Sequence, residues 1–142
     1  MSSLEVTINV EHGNADVEAL RCAVLHVGAA EGSRAGEVSV TLLSDEDIQE
    51  MNRTYLDRDR PTDVIAFSLG DDLAILGDVY IGAEQARRQA EELGIDVSEE
   101  VVRLTVHGML HVLGYDHPEG PERTESAMFR RQEELLREIL AD

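Results

Sequence analysis

The stretch HGMLHVLGYDH, residues 107–117, places three of the five histidines of this 142-residue chain within eleven positions. His107 and His111 are four residues apart, so on an α-helix they project from one face, one turn above the other. His117 cannot belong to the same straight helix, because ten helical residues would carry it roughly 15 Å from His107. The chain must therefore leave the helix between His111 and His117. Gly114 is predicted to end it, since glycine adopts the left-handed conformation that often terminates helices.

The three histidines have the chemistry of a metal site. Neutral imidazole is a common zinc ligand, and three protein ligands plus a water molecule are typical of catalytic zinc centres. We therefore predict one Zn²⁺ per chain, bound by His107, His111 and His117. Nickel and iron remain alternatives, because imidazole is also a good ligand for both.

The hydrophobic pattern predicts the element order β-α-β-α-β-β-α-α-α. Alternating apolar residues predict a strand at 4–10, and further strands are predicted at 37–43, 63–69 and 74–81. Helical periodicity predicts helices at 16–30, after the cap Ser44, at 84–93, from Ser98 through the histidines, and at 122–140. We expect an α+β fold in a single domain, residues 1–142. A small mixed four-stranded sheet would be covered by about five helices, one of them a metzincin-like metal-binding helix.

The composition limits the classes of function and partner. The chain has 30 acidic residues against 12 arginines and no lysine, which gives a net charge of −18. This charge does not favour a nucleic-acid partner, because phosphate contacts need cations, although a local arginine cluster and a bound metal can supply them. No apolar segment is long enough to span a membrane, and no signal-peptide pattern is present. A single cysteine, Cys22, excludes an internal disulfide and is expected in the core. Together with the lack of a membrane segment and of a signal-peptide pattern, this predicts a cytoplasmic protein with no membrane partner.

The histidine run resembles the signature of the YbeY-type endoribonucleases, which are bacterial metalloproteins that act in ribosomal RNA maturation. Two further segments resemble motifs of that family and occur in the same order. They comprise Asn52, Tyr55, Asp59, Pro61, Thr62, Asp63, Val64 and Phe67 upstream, and then Leu76, Gly77, Asp78, Val79 and Ile81. The resemblance covers essentially the whole chain and implies a zinc-dependent endoribonuclease specific for single strands. It also implies a role in 16S rRNA 3′-end maturation and ribosome quality control, with rRNA and the small ribosomal subunit, not DNA, as partners.

One position departs from the family pattern. Most members have an arginine directly after the tyrosine of the upstream motif, and this chain has Leu56 there. Arg58 is our candidate for the phosphate contact, and Arg60 is a second candidate. The sequence leaves open whether water attacks phosphorus or a base activates the 2′-hydroxyl. The candidates for a general base are Asp59, Asp63, Asp78 and Asp116.

Two other functions fit parts of the sequence. The histidine spacing also matches the metzincin protease pattern H-E-x-x-H-x-x-G-x-x-H, whose glutamate is the general base. Gly108 occupies that position here, so a peptidase of this type would lack its base. The other alternative is a ribosome-associated assembly factor whose metal is mainly structural, an interpretation favoured by Leu56.

Overall fold

The computed structural model describes residues 3–32, 35–70, 73–115 and 126–141. Within these ranges the chain forms four strands and five helices in the predicted order. The elements are β1 (Leu4–Val10), α1 (Val17–Ala30), β2 (Gly36–Leu43), α2 (Asp45–Leu56), β3 (Val64–Ser68), β4 (Ile75–Gly82), α3 (Ala83–Leu93), α4 (Val97–Val112) and α5 (Ala127–Leu140). The predicted α+β class is confirmed.

The four strands form one mixed sheet in the order β1-β2-β4-β3. Strands β1, β2 and β4 are parallel, and β3 pairs antiparallel with β4 at the edge. The two parallel pairings are each connected through helices, whereas β3 and β4 are consecutive in the chain. The predicted mixed character of the sheet is therefore confirmed, and it comes from the one antiparallel strand.

The two faces of the sheet are covered unequally. Because side chains alternate along a strand, Val38, Val40 and Leu42 of β2 face one side, where the larger core lies. Helices α1 and α4 pack on that side, and α3 and α5 pack against α4. On the other side α2 covers a smaller cluster that includes Leu43, Ile48 and Ile65. Helix α4 thus lies between the sheet and two other helices.

Two predictions about individual positions are corrected. Cys22 is exposed on α1, because it lies on the solvent-facing side of a helix whose buried residues are Leu20, Ala23, Val24, Val27 and Gly28. Helix α5 begins at Ala127 rather than at Glu122, because Ser126 is extended and its hydroxyl accepts a hydrogen bond from Phe129 N at 3.1 Å. Residues 122–125 of the predicted helix lie outside the described residues.

The membrane prediction can be compared with the helices directly. Among residues 3–32, 35–70, 73–115 and 126–141, no helix combines the length and the apolar character that crossing a membrane would require.

Candidate active site

Helix α4 approaches the sheet closely at two glycines. A Cβ placed on Gly108 of the helix would lie 2.5 Å from Cγ1 of Val79, and one placed on Gly77 of β4 would lie 2.5 Å from Cγ1 of Val112. Ordinary contacts between carbon atoms are about 3.5–4.0 Å, so neither position has room for a side chain. Gly108 and Val112 are one helical turn apart and define the stripe of α4 that faces the sheet.

His107 and His111 lie on the adjacent stripe of α4, since each precedes a sheet-facing residue by one position. Their ring centroids are 4.9 Å apart, with an angle of 75° between the ring planes. His107 is buried, with 8% of its surface exposed, and His111 is half-buried. The helix thus brings two predicted ligands side by side, with nitrogen atoms that are able to bind one metal ion.

His107 contacts helix α5 through a polar side chain. Its Nδ1 atom lies 2.6 Å from Oε1 of Gln132, and only 5% of Gln132 is exposed. Gln132 stands among the buried residues of α5, which are otherwise Met128, Leu135 and Leu136. The contact joins two buried polar groups whose positions in the chain are 25 residues apart.

A network of charged and polar groups surrounds Gln132. Its Nε2 atom donates to Oε2 of Glu133 at 2.9 Å, and Glu133 accepts from Nε and Nη2 of Arg103 at 3.0 and 3.3 Å. Arg103 also donates from Nη1 to Glu100 at 2.7 Å, and the other oxygen of Glu100 accepts from Gln89 at 2.8 Å. Burial lowers the pKa of Arg103, but its hydrogen bonds to Glu133 and Glu100 outweigh this effect and raise the pKa above its ordinary value. Arg103 is therefore a permanent cation that orders both carboxylates.

The end of α4 has the geometry predicted from Gly114. This glycine has a φ of +103°, and its N–H donates to the carbonyl of His111 at 3.0 Å. The next N–H, of Tyr115, donates to the carbonyl of Leu110 at 3.0 Å. The two bonds form a Schellman motif, in which a glycine in a positive-φ conformation reverses the chain. The predicted helix stop after His111 is therefore confirmed.

The chain leaving α4 is anchored immediately after this turn. The hydroxyl of Tyr115 donates to Oε2 of Glu31 at 3.1 Å, and Nε of Arg131 donates to Oε1 of the same carboxylate at 2.5 Å. Burial and the hydrogen bond to Glu31 raise the pKa of Tyr115 above its ordinary value. This contact links the end of α4 to α1 and α5. The predicted third ligand, His117, and the candidate base Asp116 lie outside the described residues.

Arg58 lies in the loop between α2 and β3, and buried Asn52 holds this loop. The side chain of Asn52 donates to the backbone carbonyl of Arg60 at 2.9 Å. The backbone carbonyl of Asn52 accepts from the backbone N–H of Arg58 at 3.2 Å. Asp57 ends α2 in the left-handed region with φ +56°. The loop borders a cavity of about 320 Å³, lined by Asn52, Leu56, Arg58, Arg60, Thr62 and Val64.

One residue of β3 links this cavity to helix α4. Val64, one of its lining residues, lies beside Gly108, where its Cγ2 would be 3.3 Å from an added Cβ. Gly108 follows His107 directly in the chain. The structure thus brings both candidate arginines, Arg58 and Arg60, to one cavity, and Val64 connects this cavity to the histidine helix.

Comparison with known proteins identifies the family. The family model described as endoribonuclease YbeY matches residues 5–140. Endoribonuclease YbeY of Aquifex aeolicus is 48% identical over 103 residues, which cover 70% of this chain and 67% of that protein. The Bacillus licheniformis protein of the same name is 43% identical over 129 residues, covering 82% of this chain and 78% of that protein. This chain belongs to the endoribonuclease YbeY family.

A solved structure has the same fold. The solution structure of a protein from Thermotoga maritima superimposes with a TM-score of 0.69 at 27% sequence identity. The alignment covers 96% of this chain and 89% of that protein. The predicted family and the predicted fold are therefore both confirmed.

The YbeY-type motifs correspond to specific contacts in this chain. Asn52 of the upstream motif fixes the loop that carries Arg58, and Gly77 of the second motif makes room for Val112 of α4. Leu56, where most family members are expected to have arginine, lines the same cavity as Arg58. The departure from the family pattern and the candidate replacement thus share one cavity.

Asp78 does not face the histidine helix. It alternates with Val79, whose side chain lies against Gly108, so Asp78 projects from the opposite face of the sheet. There its carboxylate accepts a hydrogen bond from Ser39 at 2.6 Å. The suggestion that Asp78 is the general base is therefore wrong.

The other described aspartates have structural contacts. Asp59 accepts hydrogen bonds from Gln49 at 3.0 Å and from Arg53 at 3.4 Å, on the side of α2. The backbone carbonyl of Asp63 accepts from Gly82 N at 2.9 Å, where the chain enters β3. The carboxylate of Asp63 accepts from the hydroxyl of Thr62 at 3.5 Å. None of these contacts identifies a carboxylate as the base, so the assignment of a base stays a prediction.

Sequence reasoning missed Gln132. A signal was present, because residues 128, 132, 135 and 136 fall on one face of a helix and three of the four are apolar. A glutamine on such a face must find a buried partner, since an unsatisfied buried amide is costly. The pattern does not reveal that His107 is this partner.

Proposed function

We propose that this chain is a metal-dependent endoribonuclease that cleaves single-stranded RNA and binds one zinc ion through His107, His111 and His117. The observation that carries the proposal is the pairing of His107 and His111 side by side on α4. Membership of the endoribonuclease YbeY family supports RNA as the substrate. Nickel or iron in place of zinc is an outcome that elemental analysis will distinguish.

The chemistry of the donor groups fits a zinc ion. Two imidazoles lie 4.9 Å apart between ring centroids, and a hydrogen bond to Gln132 orients the more buried ring. Oriented neutral histidines are the usual ligands of catalytic zinc. A zinc ion held by His107, His111 and His117 would lower the pKa of a water molecule and would polarise a phosphoryl oxygen.

The protein side chains supply binding and orientation of the RNA. Arg58 and Arg60 border the cavity next to α4, where guanidinium groups are able to bind a phosphate through paired N–H donors. Such a contact holds the scissile phosphate and offsets the negative charge that develops in the transition state.

The surroundings of Gly108 do not support the peptidase alternative. A side chain at this position would collide with Val79, so the glutamate base of a metzincin has no space here. The assembly-factor alternative keeps one supporting observation, which is Leu56 in the cavity beside Arg58. It predicts metal binding without cleavage.

The cellular role is the finer part of the proposal. By resemblance to the family, the substrate would be single-stranded rRNA on the small ribosomal subunit. The reaction would contribute to 16S rRNA 3′-end maturation and to ribosome quality control in the cytoplasm. Cleavage of isolated small subunits, mapped by primer extension, is the measurement that tests this assignment.

The activity is tested with fluorescent single-stranded RNA, the same RNA as a duplex, and casein. We expect cleavage of the single strand alone, lost on treatment with a chelator and restored by zinc. His111→Ala is expected to lose bound metal and cleavage together, because it removes one of three ligands. Metal content is measured on protein purified without an affinity tag.

His26→Ala is the matched control, because His26 lies on α1 and pairs with Glu138 at 2.8 Å, away from α4. It should keep both metal and cleavage, and any RNA cutting that survives in His111→Ala reveals contamination. Metal uptake with no cleavage of either substrate would favour the assembly factor. Chelator-sensitive hydrolysis of casein would favour the peptidase.

A further inference from the structure

The amide of Gln132 is held at both ends by partners of different chemistry. Its Nε2 lies 2.9 Å from a carboxylate oxygen of Glu133, and its Oε1 lies 2.6 Å from Nδ1 of His107. An ionised carboxylate is only an acceptor, so the NH₂ group must point toward Glu133. The reverse orientation would place two acceptor oxygens against each other. Glu133 therefore sets the orientation of the amide.

The orientation of the amide in turn sets the tautomer of His107. The Oε1 atom of Gln132 accepts hydrogen bonds and cannot donate, so Nδ1 of His107 must carry the proton. A neutral imidazole protonated at Nδ1 has its lone pair on Nε2, which is then the ring nitrogen able to bind a metal. The opposite tautomer would place a proton on the nitrogen that the metal requires.

We infer that Gln132 is a positioning residue that holds His107 as the Nδ1–H tautomer and so presents Nε2 to the metal. The inference rests on the proposed function, because it assigns Gln132 a role toward the metal proposed there. Hydrogen bonding of a ligand histidine by an outer group fixes its ring and raises its affinity for metal. Both side chains are buried, at 8% and 5% exposed, so water does not easily replace the bond.

The pair formed by Arg103 and Glu133 is the outer part of the same arrangement. Arg103 binds Glu133 through two nitrogens, at 3.0 and 3.3 Å, and is itself held by the nearly buried Glu100 at 2.7 Å. These two hydrogen bonds fix the carboxylate of Glu133, which keeps the amide from turning over. Removal of Glu133 should leave Gln132 in place but free to present either end to His107.

The tautomer is measured directly in metal-free protein labelled with ¹⁵N-histidine. Long-range ¹H–¹⁵N spectra at pH 8 distinguish a protonated Nδ1 from a protonated Nε2. The signals are assigned with variants in which one histidine at a time is replaced. We expect His107 of the wild type to be the Nδ1–H tautomer. Gln132→Met, which has similar volume and no strong acceptor, is expected to shift His107 toward Nε2–H. Gln132→Glu keeps an acceptor and should keep Nδ1–H.

Zinc affinity is measured by competition with a chromophoric chelator. Gln132→Met is expected to bind zinc about 10–100-fold more weakly than the wild type, as loss of an outer-shell partner usually does. Gln132→Glu should lose less, and Glu133→Met should lie between Gln132→Met and the wild type. Gln49→Met is the matched control, because Gln49 of α2 donates to Asp59 on the other side of the sheet and should not affect affinity.

The outcomes separate this inference from the proposed function. A wild-type His107 protonated at Nε2, or equal zinc affinity in the wild type and Gln132→Met, overturns the role of Gln132 while leaving the metal site intact. A wild type that binds no zinc overturns the proposed function. In that case the spectra still show whether Gln132 holds His107 as the Nδ1–H tautomer. If Gln132→Met does not fold, the wild-type and Gln132→Glu spectra decide it without that variant.

Discussion

Gly108→Ala tests the contact that seats the histidine helix on the sheet. The added methyl group would lie 2.5 Å from Cγ1 and 3.1 Å from Cγ2 of Val79. Val79 is fully buried, and a valine has little freedom at χ1, so it cannot rotate away. Normal contact requires about 3.5 Å, so helix and strand must separate by up to ~1 Å.

The expected loss of stability follows from two opposing terms. Overpacking of this kind usually costs about 1–3 kcal/mol. Alanine in a helix interior is more favourable than glycine by about 1 kcal/mol, which offsets part of that cost. Because Val79 is fully buried and cannot rotate away, we place the overpacking cost at about 2–3 kcal/mol, the upper part of its range. The net loss in the free energy of unfolding of Gly108→Ala is then about 1–2 kcal/mol.

Gly28→Ala is the matched control, because Gly28 is also within a helix and its added Cβ would meet the tips of two flexible side chains, Leu4 at 3.0 Å and Met109 at 3.9 Å. A flexible leucine end can move, so the gain in helix propensity should dominate and leave this variant at least as stable as the wild type. Both variants are compared with the wild type by urea unfolding followed by far-UV circular dichroism at 25 °C. A Gly108→Ala protein as stable as Gly28→Ala would refute the close seating of α4.

Two further predictions concern the cavity and the end of α4. Arg58→Ala is expected to reduce RNA cleavage about 10²-fold through loss of transition-state charge stabilisation. The control Arg53→Ala removes only an exposed ion pair with Asp59 and should leave the rate of cleavage unchanged. Equal cleavage rates for the two variants would exclude a phosphate role for Arg58. Tyr115→Phe is expected to lower the free energy of unfolding by about 1 kcal/mol at pH 7, because it removes a hydrogen bond to Glu31. Burial and Glu31 raise the pKa of Tyr115, so this stabilisation is present below about pH 10 and is lost as the pH rises through the folded-state pKa. In urea unfolding between pH 7 and 11, the free energy of unfolding should therefore decline less steeply with pH in Tyr115→Phe than in the wild type. An equal decline in both proteins would contradict this prediction.

Local patterns predicted the parts of the fold that depend on neighbouring residues. The spacing of His107 and His111 required a helix to bring them together, and Gly114 supplied the conformation that ends it. The strand predicted at 74–81 lies within one residue of the observed bounds of β4. These features depend on periodicity and backbone preference, which a single sequence contains.

Contacts between distant segments were not predictable in the same way. Gln132 and His107 are 25 residues apart, and Tyr115 and Glu31 are 84 apart. Nothing in the local pattern pairs such residues, because the pairing depends on how α1, α4 and α5 pack. Cys22 was misplaced for a related reason, since a small side chain in a helix carries little information about which face is buried.

The packing of α4 also limits where the general base of the proposed reaction can lie. In a metzincin the base is the residue directly after the first histidine. In this chain that residue is Gly108, which faces Val79 and has no room for a side chain. On its other side His107 is covered by Gln132 of α5, which is buried and already bonded. Neither of these two positions can therefore supply the base, and Asp78 lies on the opposite face of the sheet, bonded to Ser39. A search by mutagenesis should begin with Asp116, which follows Tyr115 directly in the chain, rather than with Asp78.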